Sequence, residues 1–148
     1  MPRSSGEILL VDDSIDDVDL AVTVLSDYWP AARIVIANDG AQAGDYLYRR
    51  GQYSGRKTAQ PVLVLLDIKM PKVGGLELVR ILKSDDELKV IPVVMLTSSR
   101  EERDVRDAHR LGANAYVVKP LAFPEFQEAL KKLAAFWLTV HELAPAGA

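Results

Sequence analysis

At four places in this chain, acids, a hydroxyl or an ammonium stand directly after an apolar run. Asp12 and Asp13 follow Ile8–Val11, Asp67 follows Val62–Leu66, Thr97 follows Val93–Leu96 and Lys119 follows Ala115–Val118. Singly, each has an ordinary explanation: such an aspartate caps a helix, a threonine closes a turn, a lysine ends in solvent. As a set they have a chemistry. Three clustered carboxylates repel one another unless a cation sits among them. Their all-oxygen donors suit Mg²⁺, which takes carboxylates, a carbonyl, waters and phosphate oxygens and leaves positions open for a phosphoryl group. An aspartate carboxylate can be the nucleophile. A lysine can neutralise one phosphoryl oxygen and a threonine hydroxyl can donate to another. The residues by themselves point to Mg²⁺-assisted phosphoryl chemistry on Asp67.

For these residues to meet, the runs before them must be neighbouring strands. The four runs and a fifth, Ile34–Ala37, are continuous rather than alternating and rich in branched side chains, as in strands covered on both faces. Helical spacing fills the intervals. Val18, Ala21, Val22 and Leu25 follow a candidate cap at Ser14 with acids in the first turn. Ala43, Tyr46 and Leu47 follow Asn38-Asp39-Gly40, and Leu76, Val79 and Leu82 follow Gly74-Gly75. Ser99 and Glu102 have capping-box spacing ahead of Val105, Ala108 and Leu111, with Gly112 placed to end that helix. A fifth helix is expected from Pro124 to about Leu143. Strand and helix alternate five times, which predicts an α/β, flavodoxin-like, doubly wound (βα)5 fold with five parallel strands in the order 2-1-3-4-5. In such sheets, sites form at the carboxyl ends of strands. The polar stretch 51–60 is expected to be a plain surface excursion, with a partner contact as the alternative.

A length of 148 residues fits one domain, with its core at about 7–143 and no output domain after it. The chain is 49% hydrophobic and 26% charged, with a net charge of -3, so a nucleic acid partner is not expected. It has no cysteine, which excludes disulfides and thiol chemistry. No apolar run reaches the length of a membrane span, and the first residues lack the apolar core of a signal peptide, so a cytoplasmic protein with no membrane partner is expected.

Four segments together resemble the response-regulator receiver domains of two-component signalling: Ile8–Asp13, Val64–Pro71, Val94–Ser98 and Ala115–Pro120. The resemblance covers about 7–143. It implies that Asp67 accepts the phosphoryl group, from a histidine kinase, and that Asp12, Asp13, Asp67 and the Lys69 backbone carbonyl hold Mg²⁺. It also implies that Lys119 contacts the phosphate, that Pro120 follows a peptide bond often cis in the family, and that Thr97 and Tyr116 form the switch. The chain catalyses then only its own phosphotransfer and dephosphorylation. Relatives often carry an uncharged residue where Lys69 stands and an aspartate where Gly74 stands, so phosphate lifetime is open and the loop after Asp67 is expected to be more mobile. The family's positions two after the acceptor and two after the threonine, Lys69 and Ser99, tune that lifetime. The lone receiver, Gly51-Gln-Tyr and Phe136-Trp137-Leu138 are similar to regulators paired with phytochromes.

Other function classes compete. A phosphorelay intermediate would pass the phosphate onward. A haloacid-dehalogenase-like phosphatase would carry D-x-D after the first strand, where this chain has Asp12-Asp13-Ser14. A flavodoxin relative would need a phosphate-cradling loop there, and two aspartates would repel an anion. Asp16, Asp17 and Asp19 are read as complementing the helix dipole rather than joining the site. Arg100, Arg103, Arg106 and Arg110 alternate with acids and are read as a salt-bridged, solvated face. His109 and His141 lack partner ligands. Finally, Phe126, Ala129, Leu130, Leu133, Phe136, Trp137, Val140 and Leu143 share one face of the fifth helix. Ala134 and Leu138 widen it to roughly 220°, more than one sheet needs, which predicts a homodimer through that helix.

Overall fold

The computed structural model describes residues 6–137. Five parallel strands form one sheet: β1 (Glu7–Val11), β2 (Arg33–Ala37), β3 (Leu63–Leu66), β4 (Val93–Thr97) and β5 (Ala115–Val118), in the order 2-1-3-4-5. Between and after them lie α1 (Ile15–Tyr28), α2 (Gly40–Leu47), α3 (Gly75–Ser84), α4 (Glu102–Leu111) and α5 (Phe123–Ala135). The fold is the one the alternation of patterns predicts.

Alternation along the strands divides the core. Ile8, Leu10, Leu63, Leu65, Val94 and Leu96 face α1 and α5, meeting Ala21, Leu25, Phe126, Leu130 and Trp137. Leu9, Val11, Val64, Leu66, Val93 and Met95 face the opposite layer, meeting Ala43, Leu47, Leu78, Leu82 and Ala108. Central strands buried on both sides explain the unbroken apolar runs. Each fully buried leucine contributes about 1.5–3 kcal/mol. Trp29, which ends α1, lies wholly inside the first layer near Gly6 and Val62, at the amino end of the sheet. Its indole Nε1 is a buried donor with no hydrogen-bond partner among the described residues.

Several local expectations need correction. In α3, Leu78 rather than Leu76 is fully buried, beside Val79 and Leu82. The Ser99–Glu102 capping box does not form, because α4 starts later, with Glu101 at its cap and no side-chain bond there. The four arginines of that region make no ion pair among the described residues, so the face is solvated without being salt-bridged. The peptide bond before Pro120 is trans. The 51–60 stretch is the expected surface excursion, and it is fastened: after a 3-10 turn at Gly51–Tyr53, Arg56 donates to the Tyr46 carbonyl at 3.0 Å and to Gln60 Oε1 at 2.6 Å. The Arg56 guanidinium also stacks 4.1 Å over the Tyr46 ring, and the Tyr46 hydroxyl donates to the buried Glu7 carboxylate. Ala134 and Trp137 pack into the α1–α5 core and so cannot belong to an exposed patch. Phe136 is half-exposed; Leu138, Val140, His141 and Leu143 lie outside the described residues.

Candidate functional site

The expected residues do meet at the carboxyl edge of the sheet, and the backbone ladder puts them there. Val11 pairs with Leu66, and Thr97 with Val118, so the strands end nearly level. The ladder then runs one rung further: the Asp67 N–H donates to Val11 O at 3.0 Å, and the Lys119 N–H to Thr97 O at 2.7 Å. The acid and the ammonium are thus last rungs of the sheet rather than tips of free loops.

Carboxylate oxygens of Asp12, Asp13 and Asp67 all lie within 4.8 Å of one another, with Asp12 and Asp67 buried and Asp13 exposed. The Lys119 ammonium, 6% exposed, reaches Asp12 Oδ2 at 2.6 Å, Asp17 Oδ2 at 2.8 Å and Asp67 Oδ2 at 3.4 Å. Asp67 Oδ1 accepts from the Ile68 N–H at 2.7 Å, and Asp12 Oδ1 from the Ser14 N–H at 2.9 Å. Burial raises Asp12 above the usual carboxylate range, and the bonds from Lys119 and Ser14 offset only part of that. Burial alone would lower Lys119, but hydrogen bonds to Asp12 and Asp17 and the charge of Asp67 hold it above the ordinary lysine value. The donor set fits a hard divalent cation: clustered oxygens, a cationic group already at its edge, one exposed acid at its mouth.

Asp17 is the residue that sequence reasoning misassigned. Ser14 caps α1, taking the Asp17 N–H at 3.4 Å. A reciprocal capping box would use the Asp17 carboxylate on the Ser14 N–H. Asp12 already occupies that donor, and the freed carboxylate turns to Lys119. The signal was in the sequence as two acids, at 12 and 17, competing for one cap.

Around Asp67, Thr97 is buried, and its Oγ1 accepts from the Ser99 N–H at 3.4 Å. Ser99 Oγ donates to buried Asp104 at 2.5 Å, tying the β4–α4 loop to the first turn of α4. The half-buried Tyr116 donates its hydroxyl to Ser99 O at 2.9 Å. The Lys69 side chain points outward, 3.6 Å from Glu101 across the gap between the β3–α3 and β4–α4 loops. Two glycines allow close approaches around the loop after Asp67. A Cβ on Gly75 would stand 2.0 Å from the Asp67 carbonyl oxygen, and one on Gly40 2.1 Å from that of Val73. Gly74, φ -75°, needs no glycine geometry. The loop is thus closely packed at Gly75 and leaves room at Gly74.

The family model for the response regulator receiver domain matches residues 8–131. The chain belongs to that family. The receiver domain is 35% identical over 131 residues to "Response regulator Rcp1" of Synechocystis, covering 88% of each chain. It resembles the solved Mn²⁺-bound form of Rcp1 with a TM-score of 0.89 at 34% identity, over 95% of this chain and 99% of that one. The phosphorylated cyanobacterial phytochrome response regulator RcpA gives 0.90 at 33% identity, with the same coverage. The bacteriophytochrome response regulator AtBRR gives 0.73 at 46% identity, over 95% and 100%. This receiver domain is thus a response regulator similar to phytochrome-associated ones, of a family that binds divalent metal. Among its described residues no helix is long and apolar enough to cross a membrane.

Proposed function

We propose that this receiver domain is a stand-alone cytoplasmic regulator, 1–148, that takes a phosphoryl group from a histidine kinase onto Asp67 with Mg²⁺. The observation that carries the reading is the oxygen cluster of Asp12, Asp13 and Asp67 with Lys119 Nζ 3.4 Å from the acceptor. Asp12, Asp13, Asp67 and the Lys69 carbonyl would hold the cation, which draws charge off phosphoryl oxygens when bound. The Ile68 N–H fixes the acceptor carboxylate by one oxygen. Its other oxygen attacks phosphorus as the bond to the donor's imidazole nitrogen breaks, leaving an acyl phosphate on Asp67. Lys119 and Thr97 then take phosphoryl oxygens, and the added charge of about -1.5 to -2 is read through them. Movement of Thr97 would reach Ser99, and through it Tyr116 and α4, the surface that signals. On this reading the chain turns over no other substrate.

The kinase needs a landing place beside Asp67. Exposed Leu121 and Phe123 flank a cleft of about 220 Å³ next to Lys119, with Asp16 and Asp17 on its other wall and exposed Ile15 beside them. Clustered apolar side chains around a charged opening favour a protein partner; similarity to Rcp1, RcpA and AtBRR makes a phytochrome kinase the first to test. A second copy remains the partner proposed for the end of α5 near Phe136, and sedimentation as a monomer at high concentration, with and without beryllofluoride, would remove it. For the acceptor, Asp67→Asn should take up no base-labile phosphate from acetyl phosphate and Mg²⁺. A folded variant labelled at the normal rate would overturn the assignment.

A further inference from the structure

Lys119 has three carboxylate partners, and two of them, Asp12 and Asp67, belong to the oxygen cluster that the proposed function gives to a divalent cation. An ammonium and a divalent cation cannot share those oxygens without strong repulsion at a few ångströms. When metal enters, the ammonium has to give up Asp12 Oδ2 at least. It is buried, and a buried ammonium without a partner is costly. Asp17 is the one partner outside the cluster. It is well placed to stay: the first turn of α1 fixes its backbone, and the Ser14 N–H is already taken by Asp12. Its side chain is 33% exposed, so its own charge remains partly solvated.

We propose that Asp17 is a positioning residue that holds the Lys119 ammonium when the metal displaces it from Asp12 and Asp67. Asp17 then does two things. It reduces the repulsion that opposes metal loading, and it keeps the ammonium beside the acceptor, where a phosphoryl oxygen arrives. The proposal rests on the metal reading given above. It separates Asp17 from its neighbour Asp16, which has the same charge, lies on the same turn and makes no bond to Lys119 among the described residues.

The test is calorimetric titration of Mg²⁺, with Mn²⁺ as a second probe, into the full chain and its variants. Asp17→Asn should raise the Mg²⁺ Kd about tenfold, the size of one charge acting over a few ångströms in partly aqueous surroundings. Asp16→Asn removes an equal but solvated charge and should shift Kd by about twofold or less. In a Lys119→Ala background, Asp17→Asn should have only that smaller effect, because Asp17 acts through the ammonium. At saturating Mg²⁺, phosphorylation of Asp17→Asn by acetyl phosphate should be slower than that of Asp16→Asn. The proposal is overturned if Asp17→Asn matches Asp16→Asn in affinity and rate, or if its effect persists undiminished without Lys119. Absence of measurable Mg²⁺ or Mn²⁺ binding by the unmodified chain overturns the metal reading itself, and this inference with it.

Discussion

Single residues decide how long a phosphoryl group would stay on Asp67. The Lys69–Glu101 pair bridges two loops at the mouth of the site, both side chains well exposed. Such a pair adds little to stability, but it keeps an ammonium on the loop that follows Asp67. Lys69→Asn should change the phosphate half-life measurably, read by decay of label from Asp67, while the Mg²⁺ Kd stays within about twofold and the urea midpoint hardly moves. A change in metal affinity with no change in lifetime would place the side chain in another role. The strand-end residues at 12, 13, 67, 97 and 119 were legible from sequence, because each follows an apolar run and parallel strands bring their ends together. Asp17 was not. Its role depends on which of two carboxylates captures the Ser14 N–H, a competition settled in space. Ser99 was misassigned for a related reason: its spacing to Glu102 mimics a cap, while burial sends its hydroxyl to Asp104.

At the scale of elements, order and connectivity were readable, but the packing of loops was not. Two adjacent glycines look alike in sequence and differ completely in surroundings. Gly74 has room, with Ile68 O 3.5 Å from an added Cβ and an ordinary φ; Gly75 has the Asp67 carbonyl at 2.0 Å. Gly74→Ala should therefore be neutral or stabilise by about 0.4–1 kcal/mol through the unfolded chain. Gly75→Ala should destabilise by about 1–3 kcal/mol or more and displace Asp67. Urea denaturation of the two variants checks the contrast, and equal midpoints would mean the loop yields where the close approach says it cannot. The 51–60 stretch shows the same limit. Nothing in its polar composition announces that Arg56 stacks on Tyr46 and bonds to Gln60. Long side chains that fasten a loop leave no period to read.

For the whole molecule, the buried polar groups predict how stability responds to alkali. Tyr46 is raised above its ordinary 10.0, by burial first and then by its bond to Glu7. Lys119 is raised above 10.5 because the bonds to Asp12 and Asp17 outweigh burial. Both hold their protons longer folded than unfolded, so their stabilisation is complete below those ordinary values and lost as pH rises through the elevated ones. Lys83, pushed down from 10.5 by burial, opposes this in the range just below that value. The urea midpoint should hold up to about pH 10 and fall as pH rises beyond it, and Tyr46→Phe should make the fall shallower. A flat profile would mean that neither group keeps its partner in solution.

The two indoles give the molecule a private optical channel. Trp29 closes α1 and Trp137 follows α5; both helices begin beside the site and run away from it, and both rings lie in the same buried layer. A helix of 14 residues spans about 21 Å, so Trp29 is remote from Asp12 and Lys119. Its N–H, lacking a hydrogen-bond partner among the described residues, offers the excited ring no polar relaxation. Emission should be short in wavelength, indifferent to Mg²⁺, and red-shifted only when the α1–α5 layer opens. A quench on adding metal would show that the far end of the sheet feels the site after all. If the glow stays constant, fluorescence reports folding alone, and any signal of occupancy must come from a dye placed near the carboxyl edge.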